Sequence, residues 1–164
     1  NENIFFILIH NNSKNILPTL KSRCLTFKIN LTFYETIEIS NFLLKENIFQ
    51  LIHNDLINYY KTPGYFFGLV NFAKEKKINL NEYSLFSFLN YLIDNKFYKK
   101  NKFINDLIID NIELYFLKIY KMSNTKNTIL NTYYNFMNKI NNTNKFNLDE
   151  ESLFMEFKSK LLNG

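Results

Sequence analysis

The spacing of apolar positions changes character near residue 30, reading as strand before it and as helix after it. The run IFFILI, Ile4 to Ile9, is continuous, β-branched and aromatic, the pattern of a strand covered on both faces as in a parallel α/β sheet. The polar stretch HNNSKN follows and leads into ILPTLKS, where Pro18 suits the first turn of a short helix better than a strand interior. CLTFKI, Cys24 to Ile29, alternates apolar and polar positions and predicts a second strand. Two strands alone cannot bury two faces, so their sheet neighbours are expected upstream of this chain. Residues 1–30 are accordingly expected to be displaced, paired with a second copy or poorly ordered.

From Leu31 the apolar positions recur at three and four residues. LTFYETIEISNFLLKEN places Glu35 three residues after Thr32, a capping box at the start of a helix. FQLIHNDLINYY predicts a second helix and YFFGLVNFAKEKK a third, with KTPG between them. These three are expected to form a small domain over residues 31–78. Four longer helices are predicted at about Ser84 to Phe97, Phe103 to Lys121, Thr125 to Ile140 and Asp149 to Leu161, packed antiparallel through short Asn-rich connections over residues 79–164. No internal repeat is present. The predicted class is mainly α, with two strands of an α/β core at the start.

Composition fits this picture and narrows it. With 18 Phe, 11 Tyr, no Trp, 3 Gly and 2 Pro, the chain has bulk for a core and few helix breakers. Asn, Lys and Ile are over-used, the mark of an AT-rich genome. The single cysteine cannot form an internal disulfide, and no apolar run reaches the roughly 18–20 residues of a membrane span. With neither disulfide nor span, the expected location is cytoplasmic; the opening NENIFFILIH, without an initiator Met, basic leader or cleavage site, reads as the interior of a longer gene and not as a targeting segment. The net charge of +5 comes from lysines spread along the chain. A solvated basic surface and a nucleic-acid surface both accommodate that distribution.

Most catalytic chemistry is absent from the pattern. His10 and His53 are the only histidines, too few for a histidine-built metal site. No Gly-rich phosphate loop exists, since the glycines stand at Gly64, Gly68 and Gly164. Asp149, Glu150 and Glu151 read as acids favoured at a helix N-terminus. Cys24 reads as a small buried hydrophobe rather than a nucleophile. What remains is Arg23, the only arginine in a lysine-rich chain. A guanidinium is always charged and offers a rigid fork of donors, so it can grip a phosphate as charge moves in a transition state, where lysine is only a point charge. Capping a helix C-terminus or forming a surface ion pair is the plainer role for the same residue.

The stretch FFILIHNNSKNILPTLKSRCLTF resembles the strand, turn, short helix and strand that end the ATPase core of clamp-loader subunits of the AAA+ class. The family hallmark, Leu/Ile-Pro-x-x-x-Ser-Arg-Cys, matches Leu17, Pro18, Ser22, Arg23 and Cys24. The resemblance implies three parts: terminal strands of a nucleotide-binding domain (1–30), a three-helix lid (31–78) and a helical collar for oligomerisation (79–164). It implies that Arg23, with Ser22 beside it, acts as an arginine finger on the neighbouring subunit's nucleotide, and that Asn11 stands at a nucleotide-sensor position, where an ordinary turn asparagine is the plainer reading.

KTPGYFFGL resembles the lid segment in which ATP-hydrolysing members carry a nucleotide-contacting arginine, but Gly64 occupies that position. This departure, and the ending FNLDEESLFMEF, look like the delta prime branch of the family. That branch implies no catalysis and no cofactor on this chain itself, with ATP and Mg at the adjacent subunit's site. The implied partners are gamma/tau and delta subunits, and, in the assembled DNA polymerase III nucleotidyltransferase complex, the sliding clamp and primer-template DNA, with no membrane. Other readings stay open: a gamma/tau or replication factor C small subunit, a basic helical DNA-binding module, or a protein-contacting scaffold.

Overall fold

The computed structural model describes residues 6–10, 16–58, 61–99, 102–146 and 148–159, and it is mainly helical. The chain divides into two compact units, Asn1–Leu31 and Thr32–Gly164.

The first unit contains α1, Pro18–Lys21, a single turn with Pro18 at its first position, as the fixed φ of proline favours. Neither expected strand is present among the described residues: Phe6–His10 and Leu25–Asn30 have no regular structure. Ile4 and Phe5 lie outside the described residues. A strand is held by hydrogen bonds from a neighbour, and no described segment supplies one. Phe6, Ile7, Ile9, Leu25, Phe27 and Ile29 are all more than 80% exposed. Cys24, expected to be buried, is exposed for the same reason.

The second unit begins with α2, Phe33–Leu44. Thr32 and Glu35 form the expected capping box: the Glu35 carboxylate accepts the Thr32 backbone N–H at 2.7 Å, and Thr32 Oγ1 accepts the Glu35 N–H at 3.3 Å. The second expected helix is broken. It appears as α3, Ile48–Leu51, and a 3₁₀ turn, Asn54–Leu56, because Ile52 is extended and the His53 N–H turns away to the Leu80 carbonyl at 3.2 Å. His53 Nδ1 then accepts the Asp55 N–H at 3.1 Å and caps the second piece. The following helix, α4, spans Pro63–Lys76, with Thr62 as its N-cap and Pro63 at its first position. It ends at Lys77 in the left-handed region, φ 54°, where the Ile78 N–H reaches back to the Ala73 carbonyl at 3.0 Å.

After a 3₁₀ turn at Leu80–Glu82 comes α5, Leu85–Asp94, capped by Ser84. Its buried residues, Leu85, Phe88, Leu89, Leu92 and Ile93, fall on one helical stripe. The expected continuation to Phe97 is cut at Asn95 and Lys96, the latter at φ 50°, and replaced by a 3₁₀ turn, Phe97–Lys99. The long helices α6, Lys102–Met122, and α7, Lys126–Phe146, follow, and α8, Glu150–Phe157, starts at an Asp149 cap.

In packing terms, α2 lies on α3 and α4, while α6 lies against α5, α7 and the Phe97–Lys99 turn, and α7 against α8. One continuous core runs from Ile37 to Phe157. A close approach joins α4 to α6 at Gly68, where a Cβ would lie 2.5 Å from Phe103 Cζ. Phe116, Phe136 and Phe157 bring α6, α7 and α8 together, with ring centroids 5.3–6.2 Å apart. Glu151 of α8 takes Lys96 at 2.6 Å and also Lys99, and Lys158 reaches Asp94. No helix among the described residues is long and apolar enough to cross a membrane.

Candidate functional site

The Ser-Arg-Cys element is built by one helical turn that tightens as it ends. Leu17 enters at φ −53° and ψ 130°, outside the helical region that a following proline disfavours. The Ser22 N–H donates to Pro18 O at 3.0 Å, the Arg23 N–H to Leu20 O at 3.1 Å and the Cys24 N–H to Lys21 O at 3.4 Å. The bonds pass from four-residue to three-residue spacing, the usual way a helix uses up its last carbonyls. Ser22 Oγ donates to Thr19 O at 3.1 Å, so its hydroxyl ties the turn together.

Arg23 therefore leaves from the end of a hydrogen-bonded turn. It is exposed, and its guanidinium makes no ion pair or hydrogen bond with a described residue. Lys21 and Lys28 are likewise exposed, and residues 16–31 contain no carboxylate. The segment can offer cationic donors to an anion carried by another molecule. The structure brings Ser22 and Arg23 together; Asn11 lies outside the described residues. Gly64, at the second position of α4, has open space around it, the nearest atom to an added Cβ being Thr62 Oγ1 at 3.8 Å. Sterically, a side chain fits there.

A second polar centre went unnoticed in the sequence. Lys61 Nζ lies 2.7 Å from Asp110 Oδ1 and 5.2 Å from the Tyr65 ring centroid. The buried Asn111 donates through Nδ2 to Leu107 O at 2.7 Å and to the Tyr65 hydroxyl at 3.3 Å, while its Oδ1 finds no partner among the described residues. Burial, then the Asp110 charge, pushes the Tyr65 hydroxyl well above the usual tyrosine range. Burial and Asp110 also raise the Glu113 carboxyl, against the pull of Lys61. Lys118 ties α6 to Asp55 at 2.5 Å. The available signal was Asn111, a polar residue between Leu107, Ile108 and Ile112 on the apolar stripe of α6. Among the described residues no group of His, Cys, Asp and Glu is arranged to hold a metal ion.

No protein-family profile, curated protein or solved structure matches this chain.

Proposed function

We propose that this chain is the C-terminal portion of an AAA+ clamp-loader subunit of the delta prime kind, which supports ATP-driven loading of the sliding clamp onto primed DNA. The observation that carries the reading is Leu17-Pro18-x-x-x-Ser22-Arg23-Cys24 on a Pro-started turn that leaves the chain's only arginine exposed and without a partner among the described residues. Arg23 then serves the neighbouring subunit's ATP, with its Mg, as a finger supplied in trans. Ser22 positions it by tying off the turn.

The helical character of the described residues after Leu31 is compatible with a lid followed by a collar, and Gly64 in place of a nucleotide-contacting arginine favours a subunit that hydrolyses nothing itself. On this reading the exposed apolar residues of 6–9, with Leu25, Phe27 and Ile29, belong to a sheet completed by upstream chain. The assembly test is size-exclusion chromatography of the full-length subunit mixed with gamma/tau and delta subunits. A stable complex is expected, and loss of residues 79–164 is expected to abolish it. Failure of the full-length subunit to enter any such complex contradicts the reading.

A further inference from the structure

We propose that the outward face of α7 docks the phosphate backbone of nucleic acid, independently of the clamp-loader reading. Between Glu113 and Asp149 the chain runs 35 residues, Leu114 to Leu148, without an Asp or Glu and with five lysines, although the other 129 residues hold all 15 acids. At the density of those other residues, about four acids belong in this stretch. Genome bias accounts for abundant asparagine. It does not account for the exclusion of carboxylates from the end of α6 and the whole of α7 while α6 up to Glu113 and α8 keep theirs.

Packing sorts the stretch into two faces. Phe136, Ile140 and Thr143 are buried, and Ile129, Tyr133 and Met137 pack on the core. The opposite stripe, Asn127, Asn131, Tyr134, Asn138, Asn142 and Lys145, recurs at three, four and seven residues and is exposed throughout. Lys121 and Lys126 flank its start; they and Lys145 form no ion pair with a described residue, whereas Lys118 and Lys139 are taken by Asp55 and Glu156. Lys126 lies 5.5 Å from the Tyr120 ring and Lys145 lies 5.3 Å from the Phe146 ring. Cations at both ends of a helix about 30 Å long, with amide donors between them, match a line of phosphates, which asparagine as well as lysine side chains contact. A protein partner fits less well, because protein interfaces are centred on aromatic and aliphatic anchors. Tyr134 is the only aromatic residue on this stripe, and no aliphatic one joins it.

The experiment is fluorescence anisotropy of the chain with a labelled DNA duplex at 50 and 200 mM salt. Three phosphate contacts make affinity fall about 40-fold over that range, and removing one lysine reduces the fall to about 12-fold. Lys121→Gln, Lys126→Gln and Lys145→Gln together are expected to flatten the salt dependence, and Asn131→Asp with Asn138→Asp to weaken binding at 50 mM by tenfold or more. The charge-matched variant Lys45→Gln, Lys77→Gln, Lys102→Gln, at exposed lysines outside both α7 and the Arg23 turn, is expected to bind like the parent. The proposal is overturned if that variant loses as much affinity as the α7 lysine variant, if the Asp substitutions leave binding unchanged, or if the parent does not bind at 50 mM. It is equally overturned if the Asp substitutions change the oligomeric state in size-exclusion chromatography without affecting DNA.

Discussion

The Phe157 ring of α8 lies with its centroid 5.3 Å from that of Phe136 on α7, and both side chains are buried, so the last helix is held to the bundle through an aromatic contact in its final turn. Phe157 also meets Phe116 and Tyr115 of α6. Phe157→Ala opens a cavity among three helices and is expected to cost about 3–5 kcal/mol in urea unfolding followed by circular dichroism. A loss below about 1 kcal/mol means that α8 is not part of the cooperative unit.

Gly68 and Phe103 approach too closely for a side chain at position 68, since the added Cβ meets the ring at 2.5 Å. Gly68→Ala gains about 1 kcal/mol of helix propensity but must displace a half-buried ring at about 1–3 kcal/mol, so a net loss is expected. In the Phe103→Leu background, the same Gly68→Ala change is expected to be neutral or stabilising. A loss of equal size in both backgrounds contradicts the contact.

Two carboxyls give opposite pH dependences. Glu151 is held down to about 2 by Lys96 and then Lys99, against an ordinary value of 4.5. Its contribution to stability is complete above about 4.5 and is lost as pH falls towards about 2. Glu151→Gln is therefore expected to lower the melting temperature at neutral pH and to bring it level with the parent at the acid limit. Glu113 is raised, chiefly by burial and then by Asp110, so its ionised form opposes folding at neutral pH and the opposition is relieved as pH falls through its folded value. Glu113→Gln is expected to stabilise at pH 7 and to lose that advantage in acid. Parallel pH profiles for the two variants contradict these environments.

Helix positions after residue 30 were legible because local signals act locally. Thr32 with Glu35, and Asp149 before two glutamates, each mark a helix start from side chains within three residues, whereas KTPG, expected to lie between two helices, supplies the Thr62 cap and the first residues of α4. Breaks were less legible: the split at Ile52 depends on the Leu80 carbonyl drawing off the His53 N–H, a partner 27 positions away that no short window contains. Among the described residues, Phe6–Ile9 and Cys24–Ile29 form no strand for a related reason. Apolar alternation states what a segment can do beside a neighbour, and no neighbouring strand is present among the described residues. Of the candidate site, Ser22 and Arg23 were legible as a motif and their turn as a Pro-started helix, whereas the Lys61–Asp110 pair joins positions 49 apart and left no mark in spacing.

On the proposed clamp-loader reading Arg23 acts on a neighbouring subunit's nucleotide, and steady-state ATP hydrolysis by the assembled complex is the test. The clamp loader is assembled with the full-length subunit carrying either Arg23 or Arg23→Lys, with sliding clamp and primed DNA present. Arginine fingers in GTPases contribute about 10³–10⁵ in rate. A drop of tenfold or more in the Arg23→Lys complex, with assembly intact by size-exclusion chromatography, is the predicted result. Unchanged hydrolysis in an intact complex contradicts the account and returns Arg23 to an ordinary surface cation.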